Sequence, residues 1–128
     1  MANRGRPKGT FYIETPERLL ELFEGYKKHV KENPRTKIEY VGRDGERVVT
    51  PLATPLLIEA FAVYCMDHTR ITYPDLTEYL DGKNEAYRIF FHIAARIRQE
   101  IRADQLGGGM VGQYNSSLTA KLNHLVEK

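Results

Sequence analysis

Chemistry in this chain would have to come from four histidines, one cysteine and a scatter of carboxylates. His29, His68, His92 and His124 are dispersed, and no cluster with metal-ligand spacing forms around them. Cys65 sits inside an apolar run with no basic neighbour to lower its pKa, which describes an inert thiol. Asp67, Asp75, Glu78 and Asp81 follow one another along the chain centre, but nothing pairs them as acid and base. Helix caps and turns account for most of them. Gly107-Gly108-Gly109 lacks the lysine of a phosphate-cradling loop. The chain is therefore expected not to be an enzyme, and to use no metal and no cofactor.

The residues that could do something else are basic. Met1 to Thr10 carries Arg4, Arg6 and Lys8 with no acid, punctuated by glycine and proline. Such a segment reads as a flexible arm. Arg-Gly-Arg-Pro is also the core of an AT-hook, in which arginine enters a narrow, strongly negative minor groove. A solubilising tail is the alternative. Lys27, Lys28 and Lys31 gather at the end of a helical stretch, where they serve either as a solvated helix end or as a phosphate-facing patch. Arg70, Thr72, Tyr73 and Lys83 lie in and after the central turn, and complete the candidate DNA contacts.

These residues must be positioned by helices. Thr54 to Gly82 is the organising stretch. Nine of the ten residues from Leu56 to Cys65 are apolar, so a helix there is buried nearly all round. Thr54 suits the N-cap and Pro55 the first helical position, giving a helix over about 55–67. A polar turn and a second helix over about 73–81 make a helix-turn-helix pattern, which an ordinary helical hairpin shares. Upstream, Thr15-Pro16-Glu17 starts a helix over about 16–32, with Leu19, Phe23, Tyr26 and Val30 on one face. Ile38, Tyr40, Val48 and Val49 flank Gly42-Arg43-Asp44-Gly45, which predicts a β-hairpin over about 37–50. A two-stranded ribbon is marginal alone, so it must pack on the helices or on a neighbouring chain.

Downstream, Tyr87, Phe90, Ala94, Ile97 and Ile101 repeat at steps of three and four in a long helix over about 84–106. Apolar residues on both flanks of that stripe suggest a subunit contact, assigned to Tyr87, Phe91, Ala94, Arg98 and Ile101. Propensity ends this helix at the three glycines. Asn115 or Ser116 then caps a short helix over about 116–126. The expected fold is mainly α: a flexible arm over 1–10, then one helical domain over 11–128 with a helix-turn-helix-like centre, a long helix and a small hairpin.

Composition bounds the rest. At 128 residues, 41% hydrophobic and 28% charged, this is a globular chain with room for a core. A lone cysteine fits a reducing compartment, and no apolar run approaches membrane-spanning length. Net charge is +2 but unevenly spread. Residues 51–83 carry two basic and five acidic side chains, a net −3, which makes the helix-turn-helix alone a poor phosphate binder.

The order of motifs resembles a known family. A Gly-Arg-Pro-Lys lead precedes Thr-Pro-Glu and a helix closing on Lys-Glu-Asn-Pro. A hairpin with Gly-x-x-Gly-Glu follows, then Pro-Leu-Leu-Ile-Glu-Ala-Phe-Ala-Val-Tyr, a long helix, Gly107-Gly108-Gly109-Met110 and Asn115-Ser116-Ser117-Leu118-Thr119. From Arg6 to Leu125 this resembles the terminase small subunits, the DNA-packaging proteins of tailed bacteriophages. The resemblance implies a viral protein that forms a homo-oligomeric ring, binds double-stranded DNA of the genome at packaging initiation and regulates the terminase large subunit, which carries the ATPase and nuclease. It also implies a place in the host cell cytoplasm, outside the mature virion, and a Gly107–Gly112 stretch that stays helical and closely packed. The alternatives are a dimeric helix-turn-helix transcriptional regulator with an AT-hook-like arm, and a helical scaffold with no nucleic-acid role.

Overall fold

The computed structural model describes residues 13–71, 73–82 and 85–124. Within them the chain is mainly α: five helices and one antiparallel hairpin. Helix α1 (Pro16–Glu32) begins as its sequence requires. The Thr15 hydroxyl accepts from the Arg18 N–H at 3.0 Å, and Pro16 occupies the first turn. Its apolar stripe buries Leu19, Leu22, Phe23 and Tyr26, each fully buried side chain contributing about 1.5–3 kcal/mol.

Strands β1 (Thr36–Val41) and β2 (Glu46–Pro51) pair antiparallel with Ile38 opposite Val49 and Tyr40 opposite Arg47. Gly42 (φ +74°) and Gly45 (φ +64°) supply the left-handed backbone of the turn, which a side chain would resist. At the foot, Leu52 N–H donates to Arg35 C=O at 2.8 Å, and Arg35 N–H donates to the Thr54 hydroxyl at 3.2 Å.

That use of Thr54 corrects one expectation. Helix α2 (Ile58–His68) starts later than a Thr54-Pro55 cap would place it. The Thr54 hydroxyl serves the hairpin foot, and the next peptides are held extended by side chains from elsewhere. Leu56 N–H donates to Asp104 Oδ2 at 2.9 Å, Leu57 N–H to the Tyr26 hydroxyl at 2.9 Å, and Gln105 Nε2 to Leu56 C=O at 2.8 Å. Tertiary bonds win over the local cap. Helix α2 then buries Phe61, Ala62 and Cys65. Burial pushes the Cys65 thiol up to about 12, against a small opposing effect of Arg18.

Thr69 closes α2 by donating its hydroxyl to Cys65 C=O and accepting from Ile71 N–H, and Ile71 anchors the turn in the core. Helix α3 (Tyr73–Asp81) buries Leu76, Tyr79 and Leu80. The long helical segment opens with a 3₁₀ stretch, Glu85–Phe90, and continues as α4 (Phe91–Met110). Tyr79 meets the rings of Tyr87 and Phe90 edge-on at 4.9 and 4.8 Å. Helix α4 packs on α1, α3 and the terminal helix α5 (Ser116–Leu122), whose N-cap is Asn115.

α4 runs through Gly107–Gly109 to Met110 instead of ending before them. A Cβ on Gly108 would lie 2.1 Å from the Tyr114 ring, and one on Gly109 would lie 3.1 Å from Thr119. The glycines are where the returning chain lies flat against the helix, and packing outweighs their poor propensity.

Candidate nucleic-acid interface

The expected DNA-contacting residues divide three ways. Arg4, Arg6, Lys8, Thr72 and Lys83 lie outside the described residues, and Tyr73 is described only as the first residue of α3. Lys28, Lys31 and Arg70 are exposed on the folded body. Lys27 is engaged internally. Its ammonium pairs with Glu100 at 2.6 Å and Glu24 at 3.1 Å, and stands 5.0 Å above the Phe23 ring. Burial lowers its pKa, but the bonds to Glu100 and Glu24 outweigh that and raise it overall. Arg96 joins the same cluster through Glu100 at 2.7 Å. Burial alone would raise the Glu100 pKa, yet the bonds from Lys27 and Arg96 leave it lowered. The lysine cluster of α1 thus offers two cations to an outside partner, Lys28 and Lys31.

The second helix of the central pair is acidic where it meets solvent. Glu78 and Asp81 are exposed, and Asp81 pairs with Arg98 at 2.6 Å. A phosphate approaching that face would meet carboxylates and be repelled. Ile13, the first described residue, lies against α3. It is fully buried and its N–H donates to the Tyr79 hydroxyl of α3 at 3.1 Å. The described chain therefore begins beside the central pair.

The five residues expected at a subunit contact also separate. Tyr87, Ala94 and Ile101 point into the chain's own core, because the stripe at steps of three and four is the face α4 gives to its own bundle. Buried there, they offer almost no side-chain surface to a second chain. Phe91 remains 60% exposed, and Arg98 lies on the surface in its pair with Asp81. The larger apolar surfaces lie elsewhere: Ile38, Tyr40 and Val49 on the hairpin, which its marginal stability alone already marks for a packing partner, and Leu118 and Leu122 on α5, which the sequence did not assign to a contact. Alternation along β1 was the available signal for the first group.

A polar clasp under the hairpin foot was also missed. Asp104 accepts from Leu56 N–H and from the Tyr114 hydroxyl, at 3.1 Å to either carboxylate oxygen. Burial, then the Asp104 charge, pushes the Tyr114 phenol up to about 12, so it stays a donor across the physiological range. Asp104→Ala would leave the part-buried Leu56 N–H without an acceptor, and the Tyr114 hydroxyl with only its longer bond to Thr54 C=O at 3.4 Å. We expect it to cost about 2–3 kcal/mol in urea denaturation, whereas a loss below about 0.5 kcal/mol would mean the clasp is idle.

Among the described residues, no group of three or more His, Cys, Asp or Glu side chains could hold a metal ion, and no helix is long and apolar enough to cross a membrane. The described residues form a small, mainly α protein with a pair of short central helices, a long helix and a two-stranded hairpin. A scan against protein-family models finds no match for the chain, and a search of curated proteins finds none.

Proposed function

We propose that this protein is a non-catalytic DNA-packaging adaptor of the terminase small subunit kind. It forms a homo-oligomeric ring in the host cytoplasm, binds double-stranded viral DNA and acts on a large subunit that does the ATPase and nuclease chemistry. The observation that carries this reading is the element order of the folded chain. A lead helix, a hairpin, a helix-turn-helix-like pair and a long helix running unbroken into its glycines follow one another in the order the resemblance implies. The continuation through Gly107–Gly109 supports it in particular, since propensity alone argues the other way. In this reading DNA is held chiefly by the basic arm, with Lys28, Lys31 and Arg70 as secondary contacts.

A dimeric transcriptional regulator is the second reading, favoured by the α2–α3 pair alone. A two-fold regulator reads half-sites with its second helix, and the exposed acids of α3 weigh against that use. Native mass spectrometry at micromolar concentration, with a salt-dependent duplex-binding assay, separates the possibilities. A closed oligomer of more than two chains that binds DNA is the expected result. A dimer would favour the regulator, and a protein with no salt-sensitive DNA binding would overturn both.

A further inference from the structure

The hairpin stands apart from the bundle: neither strand packs substantially on a helix, and its residues are exposed on both faces apart from half-buried Val48. Yet the two faces differ. Directly opposed residues share a face, so the register places Thr36, Ile38, Tyr40, Arg47, Val49 and Pro51 together. Lys37, Glu39, Glu46 and Thr50 dominate the other side, with Val41 and Val48. The first face carries the larger uncovered apolar group, with Arg47 as its one charge beside the turn: Ile38 is 48% exposed, Tyr40 69% and Val49 48%. A two-stranded ribbon is marginal in water, and an apolar face of this kind marks a contact surface.

The ribbon's charge says what kind of partner it meets. Lys37, Arg43 and Arg47 are balanced by Glu39, Asp44 and Glu46, so Thr36–Pro51 is neutral. A β-ribbon does fit the major groove of DNA, but a neutral ribbon offers phosphates no net attraction. On the docking face only Arg47, beside the turn, is charged, so a largely apolar protein surface complements Ile38, Tyr40 and Val49, and this chain carries one. A groove of about 440 Å³ lies between the hairpin foot and α5, bordered by Leu52, Pro55, Leu57, Tyr114, Leu118 and Leu122, and no charged residue lines it. The hairpin cannot fill its own groove. Its foot forms one wall and is pinned by the Leu52–Arg35 and Arg35–Thr54 bonds, and six-residue strands carry the apolar face up to about 20 Å outward from there.

We propose that the apolar face of each hairpin docks in the Leu118–Leu122 groove of a second copy of this chain. Donor and acceptor surfaces are different patches, so the contact is heterologous and each copy uses both, as ring closure requires. This rests on the oligomeric reading above and names the surfaces that make it.

The test uses two full-length variants altered only at exposed positions. Ile38→Thr/Tyr40→Thr keeps strand propensity while removing the ribbon's apolar face. Leu118→Gln/Leu122→Gln keeps helix propensity while making the groove polar. Far-UV circular dichroism and thermal melting report whether each remains folded. We expect the wild type to be a closed oligomer and each variant alone to fall to one chain of 14.8 kDa by native mass spectrometry, self-association weakening at least about thirtyfold. Mixed in equal amounts, the variants should form a two-chain species, because one sound ribbon meets one sound groove. Folded variants that keep the wild-type mass would overturn the docking and leave the oligomeric reading standing. A ribbon variant that dissociates beside a groove variant that does not would mean ribbons meet something other than the groove, and would also overturn it. Unchanged mass with lost DNA binding in the ribbon variant would overturn it in favour of DNA. A monomeric wild type would overturn both readings.

Discussion

Gly108→Ala should destabilise the chain by about 2–3 kcal/mol, while Gly107→Ala one residue earlier should stabilise it by about 0.5–1 kcal/mol. Both glycines lie in α4, and helix propensity favours alanine at both. The difference is tertiary. A Cβ at Gly107 meets nothing within 4 Å, whereas one at Gly108 lies 2.1 Å from Tyr114 Cε2 and 2.2 Å from Cδ2. The Tyr114 ring cannot simply swing aside, because its hydroxyl donates to Asp104, and Asp104 holds the Leu56 peptide. The strain therefore passes into the clasp under the hairpin foot. Urea denaturation of the two variants is the check. In the Tyr114→Ala background the Gly108→Ala penalty should largely vanish, a coupling that a double-mutant cycle reads directly. Equal effects of the two alanines would mean that Tyr114 does not lie against the helix.

Deleting residues 1–9 should weaken duplex binding and flatten its salt dependence, with oligomer mass unchanged. Those residues hold Arg4, Arg6 and Lys8 and no acid, against the net −3 of residues 51–83. The folded surface does little to offset that: Lys27 is spent on Glu100 and Glu24, and α3 presents Glu78 and Asp81. Each phosphate deprived of its cation lowers the slope of log K against log salt by about 0.9, so removing all three cations lowers it by about 2.7. Between 50 and 200 mM salt this removes about a fortyfold part of the wild-type loss in affinity. Arg70→Ala should cost less, with a slope change of about 0.9 at most. Paired salt titrations on one duplex decide the matter, and identical slopes would show that the folded body, not the arm, holds the DNA.

Local chemistry was sufficient for much of this fold. Thr15-Pro16-Glu17, the spacing of Leu19, Phe23 and Tyr26, and the Gly42–Gly45 turn each specify their element through contacts within a few residues. The observed α1 and hairpin match within one residue at each end. The stripe from Tyr87 to Ile101 is likewise legible as a helix, but not which partner its apolar side meets. Periodicity reports that a face is buried, not against what, so it points Tyr87, Ala94 and Ile101 to a subunit contact although they fill the chain's own core. Tertiary structure decided the remainder where distant groups outbid a local preference. Thr54 and Pro55 have the chemistry of a helix start, yet Asp104, Gln105 and Tyr26 hold the following peptides extended. Gly107–Gly109 have the entropy of a helix end, yet Tyr114 and Thr119 pack against them only if the helix continues. The groove under the hairpin foot unites residues 52–57 with residues 105–122, a pairing set by how α4 and α5 close the bundle, which no stretch of sequence contains.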